Sequence, residues 1–128
     1  MRVLVCGGRD YTDREALAAV LTGLRQARGI TVLIAGGARG ADSLAAEWVK
    51  GQGIACEVYL ADWDRLGSKA GPIRNQQMLD DEGKPDLVIA FPGGRGTAGM
   101  VRRAREAGVE TIEVAPVKDS VPDAGSRP

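Results

Sequence analysis

Five short apolar runs, each followed by a turn or helix-period stretch, constrain this chain more than any other feature. They are Val3-Leu4-Val5-Cys6, Thr31 to Ala35, Ile54 to Leu60, Asp86 to Phe91 and Thr111 to Val114. Continuous apolar character, rather than alternation, marks strands buried on both faces. Between the runs, Leu17, Val20, Leu21 and Leu24 repeat at helical spacing, as do Ala41, Leu44, Ala45, Trp48 and Val49. Gly71-Pro72 opens a third helix carrying Ile73, Met78 and Leu79, since proline suits the first helical position, and a fourth covers about Thr97 to Ala107. Such alternation predicts an α/β fold: a mostly parallel sheet of about five strands with helices on both faces.

Local signals refine this outline. Thr12-Asp13-Arg14-Glu15 reads as a capping box, with Thr12 as the cap and Glu15 reaching back. The stretch from Ala61 to Ala70 reads as a polar loop. Beyond Pro116 the chain is rich in Pro, Asp, Ser and Gly and has no periodicity. The expectation is one domain over residues 1–115 and a disordered tail over 116–128.

At 128 residues and 44% hydrophobic content, the chain is long and apolar enough for one real core. Seventeen basic side chains balance seventeen acidic ones, which argues against broad electrostatic binding to nucleic acid. No apolar stretch approaches the roughly 20 residues needed to span a bilayer. Met1-Arg2 leads directly into a strand, so no secretion signal is expected and the localisation reads as cytoplasmic. Cys6 and Cys56, the two cysteines, both fall in apolar segments and read as reduced core residues. If the strand order begins 3-2-1, they lie about 10 Å apart, beyond disulfide reach. The chain has no histidine, which argues against a metal site and removes the commonest general base; no cofactor is expected.

Three of the strand-to-helix junctions carry paired glycines and an arginine. They read Cys6-Gly7-Gly8-Arg9, Ala35-Gly36-Gly37-Ala38-Arg39-Gly40 and Pro92-Gly93-Gly94-Arg95-Gly96-Thr97. Glycine pairs let backbone N–H groups approach a ligand, and a helix start behind them adds partial positive charge. Arginine supplies a planar donor fork matched to phosphate. Loops after the strand carboxyl ends gather on one sheet edge, where ligands bind.

The third loop is the strongest candidate cradle, and its Thr97 serves either as a helix cap or as a phosphate ligand. No G-K-[ST] ending is present, which argues against nucleoside triphosphate hydrolysis. Asp42 stands in the first turn of its helix, either stabilising that turn or hydrogen-bonding a ribose or base. Arg74, Asn75 and Gln77 place donors on one helix face. Trp63 admits two readings, stacking on a base or packing back on the core. Trp48 reads as core, and Arg102-Arg103 as a solvated helix surface.

These motifs together resemble the SLOG superfamily, which joins the DprA (SMF) and LOG proteins. Within it, the chain is most similar to the small YspA-like branch related to YpsA, found in actinobacteria and their phages. Gly-Gly-Arg-Asp, Gly-Gly-Ala-Arg-Gly-Ala-Asp, Gly-Pro-Ile-Arg-Asn-x-x-Met and Pro-Gly-Gly-Arg-Gly-Thr carry the likeness, from about Val3 to Val114. The resemblance implies a Rossmann-like three-layer sandwich that binds a nucleotide or nucleotide-derived molecule at its glycine loops.

The implied ligand residues are Gly7, Gly8, Arg9, Gly36, Gly37, Arg39, Gly40, Asp42, Arg74, Asn75, Gly93, Gly94, Arg95, Gly96 and Thr97. The role this suggests is signal sensing or sequestration, in a homo-oligomer such as LOG relatives form. The alternative is LOG-type hydrolysis of the N-glycosidic bond of nucleoside 5′-monophosphates, with Arg74 stabilising charge and Asp42 or Asp10 as acid or base. The LOG pattern P-G-G-x-G-T-x-x-E ends in a glutamate whose position is Met100 here. Hydrolysis through an oxocarbenium-like state needs a carboxylate or equivalent group. A DprA-like binder of single-stranded DNA is the weakest fit, since the chain has only five aromatic residues.

Overall fold

The computed structural model describes residues 1–80 and 84–116. Five strands, β1 (Arg2–Cys6), β2 (Val32–Ala35), β3 (Ala55–Val58), β4 (Leu87–Ala90) and β5 (Glu110–Glu113), form one sheet in the order β3-β2-β1-β4-β5. Every pairing is parallel, with Val3 aligned to Leu33 on one side and to Leu87 on the other. The helices are α1 (Arg14–Arg28), α2 (Ala41–Val49), α3 (Trp63–Leu66), α4 (Ala70–Asp80) and α5 (Arg95–Glu106). This is the expected α/β fold with a Rossmann-like arrangement.

Successive strand residues point to opposite faces, and the core divides accordingly. On one face Val3, Val5, Leu33, Ile89 and Phe91 pack with Leu17 and Leu21 of α1 and Ala41, Ala45 and Val49 of α2. On the other, Leu4, Ile34, Val88 and Ala90 pack with Met78 and Leu79 of α4 and Met100, Val101 and Ala104 of α5. The chain thus builds three layers. No described helix is long and apolar enough to cross a membrane.

Several local expectations need correction. The cap of α1 is Asp13, whose carboxylate accepts from the Ala16 N–H at 3.1 Å. Aspartate is as good a cap as threonine, so the helix starts one residue later than a Thr12 cap implies. The stretch from Ala61 to Ala70 is not a plain loop. Asp62 caps α3 by accepting from the Arg65 N–H at 3.2 Å, and a 3-10 turn at Gly67–Lys69 runs into α4. Helix α5 begins at Arg95, with Gly94 as its cap, so Thr97 lies inside the first turn and caps nothing. The tail beyond residue 116 lies outside the described residues.

Cys6 is buried, but Cys56 is exposed. Its strand is a sheet edge, and three of its four residues face solvent. Cys56 aligns with Leu33 and Leu33 with Val3, so Cys6 lies two strands across and three residues along. That separation is roughly 14 Å, wider than lateral spacing alone suggests. Trp48 is half-buried at the rim of the core, and its indole N–H donates to Thr22 Oγ1 at 3.3 Å.

Candidate functional site

The chain runs outward from β1 to β2 and β3, then returns to place β4 on the other side of β1. The reversal opens a crevice beyond the carboxyl ends of β1 and β4, where ligands bind in open α/β sheets. All three glycine loops reach this edge. They are tied together by backbone: the Gly8 N–H donates to Pro92 O at 2.9 Å, and the Ala41 N–H donates to Gly8 O at 3.2 Å. Between them lies a cleft of about 490 Å³, within the usual range for small-molecule sites.

The structure brings Gly7, Gly8, Arg9, Gly36, Asp42, Arg74, Asn75, Gly94, Arg95, Gly96 and Thr97 to this cleft. Gly37 and Arg39 border an adjoining groove instead. There Arg39 pairs with Asp10 at 3.1 Å, and both side chains are largely exposed. Gly40 and Gly93 sit in the loop-to-loop contacts. A Cβ on Gly93 would come 2.6 Å from Gly8 N and overlap Thr97.

Asp42 is 7% exposed, the sole buried charged residue among those described. Its carboxylate accepts from the Ala38 N–H at 3.2 Å. Gly36 makes room for this group and for Arg74: a Cβ there would lie 2.6 Å from Arg74 Nη1 and 3.0 Å from Asp42 Oδ2. Arg74 donates from Nη1 to Gly36 O and, at 3.4 Å, to Tyr59 O, and from Nε to Asn75 Oδ1 at 2.9 Å. Burial raises the Asp42 pKa, against the Ala38 N–H, the Arg74 cation, the Gly36 N–H and Arg9. Burial lowers that of Arg74, and Arg9 adds to the effect, against Asp42. The guanidinium remains charged at any ordinary pH. On the cleft floor, burial pushes the Cys6 thiol up to about 12, helped by Asp42 and Glu113, so it stays protonated and unreactive.

The Asp42–Arg74 arrangement has a testable pH signature. The native state holds the Asp42 proton to a higher pH than the unfolded chain does. The stability tied to it is therefore full below about 3.9, the unfolded aspartate value, and falls as pH rises through the native value. Removing Arg74 raises that native value further. Arg74→Gln is expected to cost about 2 kcal/mol at pH 7, allowing for a half-exposed guanidinium, and less at pH 5. Urea unfolding at both pH values checks this; an equal loss at each would mean that Arg74 does not support the buried carboxylate.

Trp63 is 46% exposed and does not pack into the core. Its ring lies at the cleft mouth beneath Arg9, whose guanidinium carbon is 5.2 Å from the ring centre. The Arg102-Arg103 pair is not simply a solvated surface. Both residues line the cleft, and Arg103 donates to Gln76 Oε1 of α4 at 2.8 Å. Gln77 is exposed and stays outside the cleft lining. The spacing of Gly96, Gly99 and Arg103, three and then four residues apart, places them on one helical face. That signal is in the sequence, but which face turns toward the cleft depends on packing. Met100, at the glutamate position of the LOG pattern, is 1% exposed and packs into the core beside the cleft.

Comparison with known proteins agrees with this architecture. The family described as YspA, cpYpsA-related SLOG matches residues 1–66, which carry the first two glycine loops. The chain is also 39% identical over 122 residues to the gene 61 protein of Mycobacterium phage D29, covering 87% of this chain and 94% of that protein.

Proposed function

This chain belongs to the YspA, cpYpsA-related SLOG family, and we propose that it binds a nucleotide or nucleotide-derived ligand in the cleft between β1 and β4. One observation carries the reading. The start of α5 faces the cleft with Gly94 as its cap, and among the described residues no side chain accepts from its first amides. Uncapped amides at a helix start suit a phosphate, and Arg9, Arg74 and Arg95 surround the same space. In this reading the phosphate sits on Gly94 to Thr97. The exposed face of Trp63 takes the base, and Asn75 and Asp42 lie within the sugar's reach. The ligand is sensed or sequestered rather than cleaved.

Asp42 is the one carboxylate among the described lining residues, and its oxygens already serve the Gly36–Ala38 backbone. With Met100 apolar and buried, the described lining offers hydrolysis no free acid–base group, and binding is the better reading. A thermal-shift screen with nucleoside mono-, di- and cyclic phosphates tests it, with chromatography of the same samples for free base. At a hundredfold excess over Kd, a true ligand adds about 2.7 kcal/mol of stability. The expected result is a raised melting temperature without base release. No shift with any nucleotide would refute binding, and steady release of base would replace it with glycosidase activity.

A further inference from the structure

The arginines of this chain are segregated by pairing. Among the described residues, Arg2, Arg14, Arg28, Arg39, Arg65 and Arg105 each form an ion pair with a carboxylate, and Arg25 bonds to Gln52. The other five, Arg9, Arg74, Arg95, Arg102 and Arg103, form no such pair, and all of them line the cleft. Asp42 is the one acid among the described lining residues, whose side-chain charge is five positive against one negative. One phosphate carries at most about two negative charges. The cleft holds more positive charge than a monophosphate neutralises.

The extra charge has a position. Arg95 and Arg102 stand seven residues apart on α5, two turns or about 10 Å along its axis. Gly96 and Gly99 lie between them, and a Cβ on either would meet no heavy atom within 4 Å. At these two positions α5 presents bare backbone to the cleft, with Arg95 and Arg102 on either side of them in the helix. Arg103 donates one amino group to Gln76, a neutral partner that orients it without cancelling its charge.

We propose that Arg102 and Arg103 form a second anion subsite, and that the ligand class is a nucleotide bearing at least two phosphate groups. One phosphate sits at the start of α5 and another at the Arg102-Arg103 end. The proposal rests on the nucleotide reading above and specifies it.

Isothermal titration with AMP and GMP, with ADP and GDP, and with the adenosine and guanosine 3′,5′-bisphosphates tests this. Adjacent and separated phosphates are thereby distinguished. The wild-type protein is expected to bind one of the two-phosphate classes at least about tenfold more tightly than the matching monophosphate. In the double variant Arg102→Gln/Arg103→Gln that preference is expected to collapse, while Arg105→Gln, outside the cleft, leaves it intact. Unliganded melting temperatures establish that both variants fold. Equal wild-type affinity for one and two phosphates would overturn the subsite and leave nucleotide binding standing. A preference that survives in the double variant would overturn the subsite alone. If no nucleotide binds, both readings fall.

Discussion

Gly40→Ala is expected to destabilise the fold by about 3 kcal/mol or more, a large share of a small domain's stability. Two costs act together. Gly40 has φ +79° and ψ −131°, a backbone region that is open essentially to glycine alone. A Cβ there would also overlap Gly8 O and lie 2.6 Å from Arg9 O, both of them main-chain atoms with little freedom to move. The first and second loops would have to separate, breaking the Ala41 N–H bond to Gly8 O. Urea unfolding measures the effect, with Gly96→Ala as the comparison. Gly96 sits within α5 with no atom near its Cβ position, so alanine there changes stability by about 1 kcal/mol or less. A loss at Gly40 no larger than at Gly96 would show that the loops are not locked together at this point.

That contrast bears on how far glycine loops can be read from sequence. Three Gly-Gly pairs look alike in one dimension, yet their glycines do different work. Gly40 and Gly93 let loops touch one another, Gly36 leaves room for Arg74 beside Asp42, and Gly94, Gly96 and Gly99 face open space. Nothing in the letters separates these roles, because each depends on what another loop brings opposite.

The strands and the layer order were legible, since continuous apolar runs alternating with helical periods admit few arrangements. Edge exposure was not. Cys56 sits in an apolar run like Cys6, and only the order β3-β2-β1-β4-β5 puts it at a rim. The short helix α3 escaped because four residues show no period, though Asp62 three residues before Arg65 was a capping signal. The place of the exposed Arg102 and half-buried Arg103 in the cleft lining was hidden for a related reason. Met100, Val101 and Ala104 fix which side of α5 packs down, and that choice turns the arginine pair toward the cleft.

The second large effect falls on binding rather than folding. Gly94→Leu is expected to weaken nucleotide binding by about a hundredfold or more, equivalent to losing one or two charge-assisted hydrogen bonds. Gly94 has φ −102°, which any residue adopts, and nothing lies within 4 Å of its Cβ position. The Cβ of a leucine there meets no protein atom, and because Gly94 lines the cleft the side chain is expected to take up space assigned to the phosphate. Its cost to the fold is limited to the poorer helix cap, about 1 kcal/mol. Gly94→Ser supplies a good cap with a small side chain, so it is expected to retain stability and lose less affinity. Titration of all three proteins with the tightest nucleotide, alongside unliganded melting, separates the two effects. Undiminished binding by the leucine variant would move the phosphate away from the third loop. The start of α5 would then be an uncapped helix end that water satisfies, and Arg9 and Arg74 would have to hold the anion from the opposite wall.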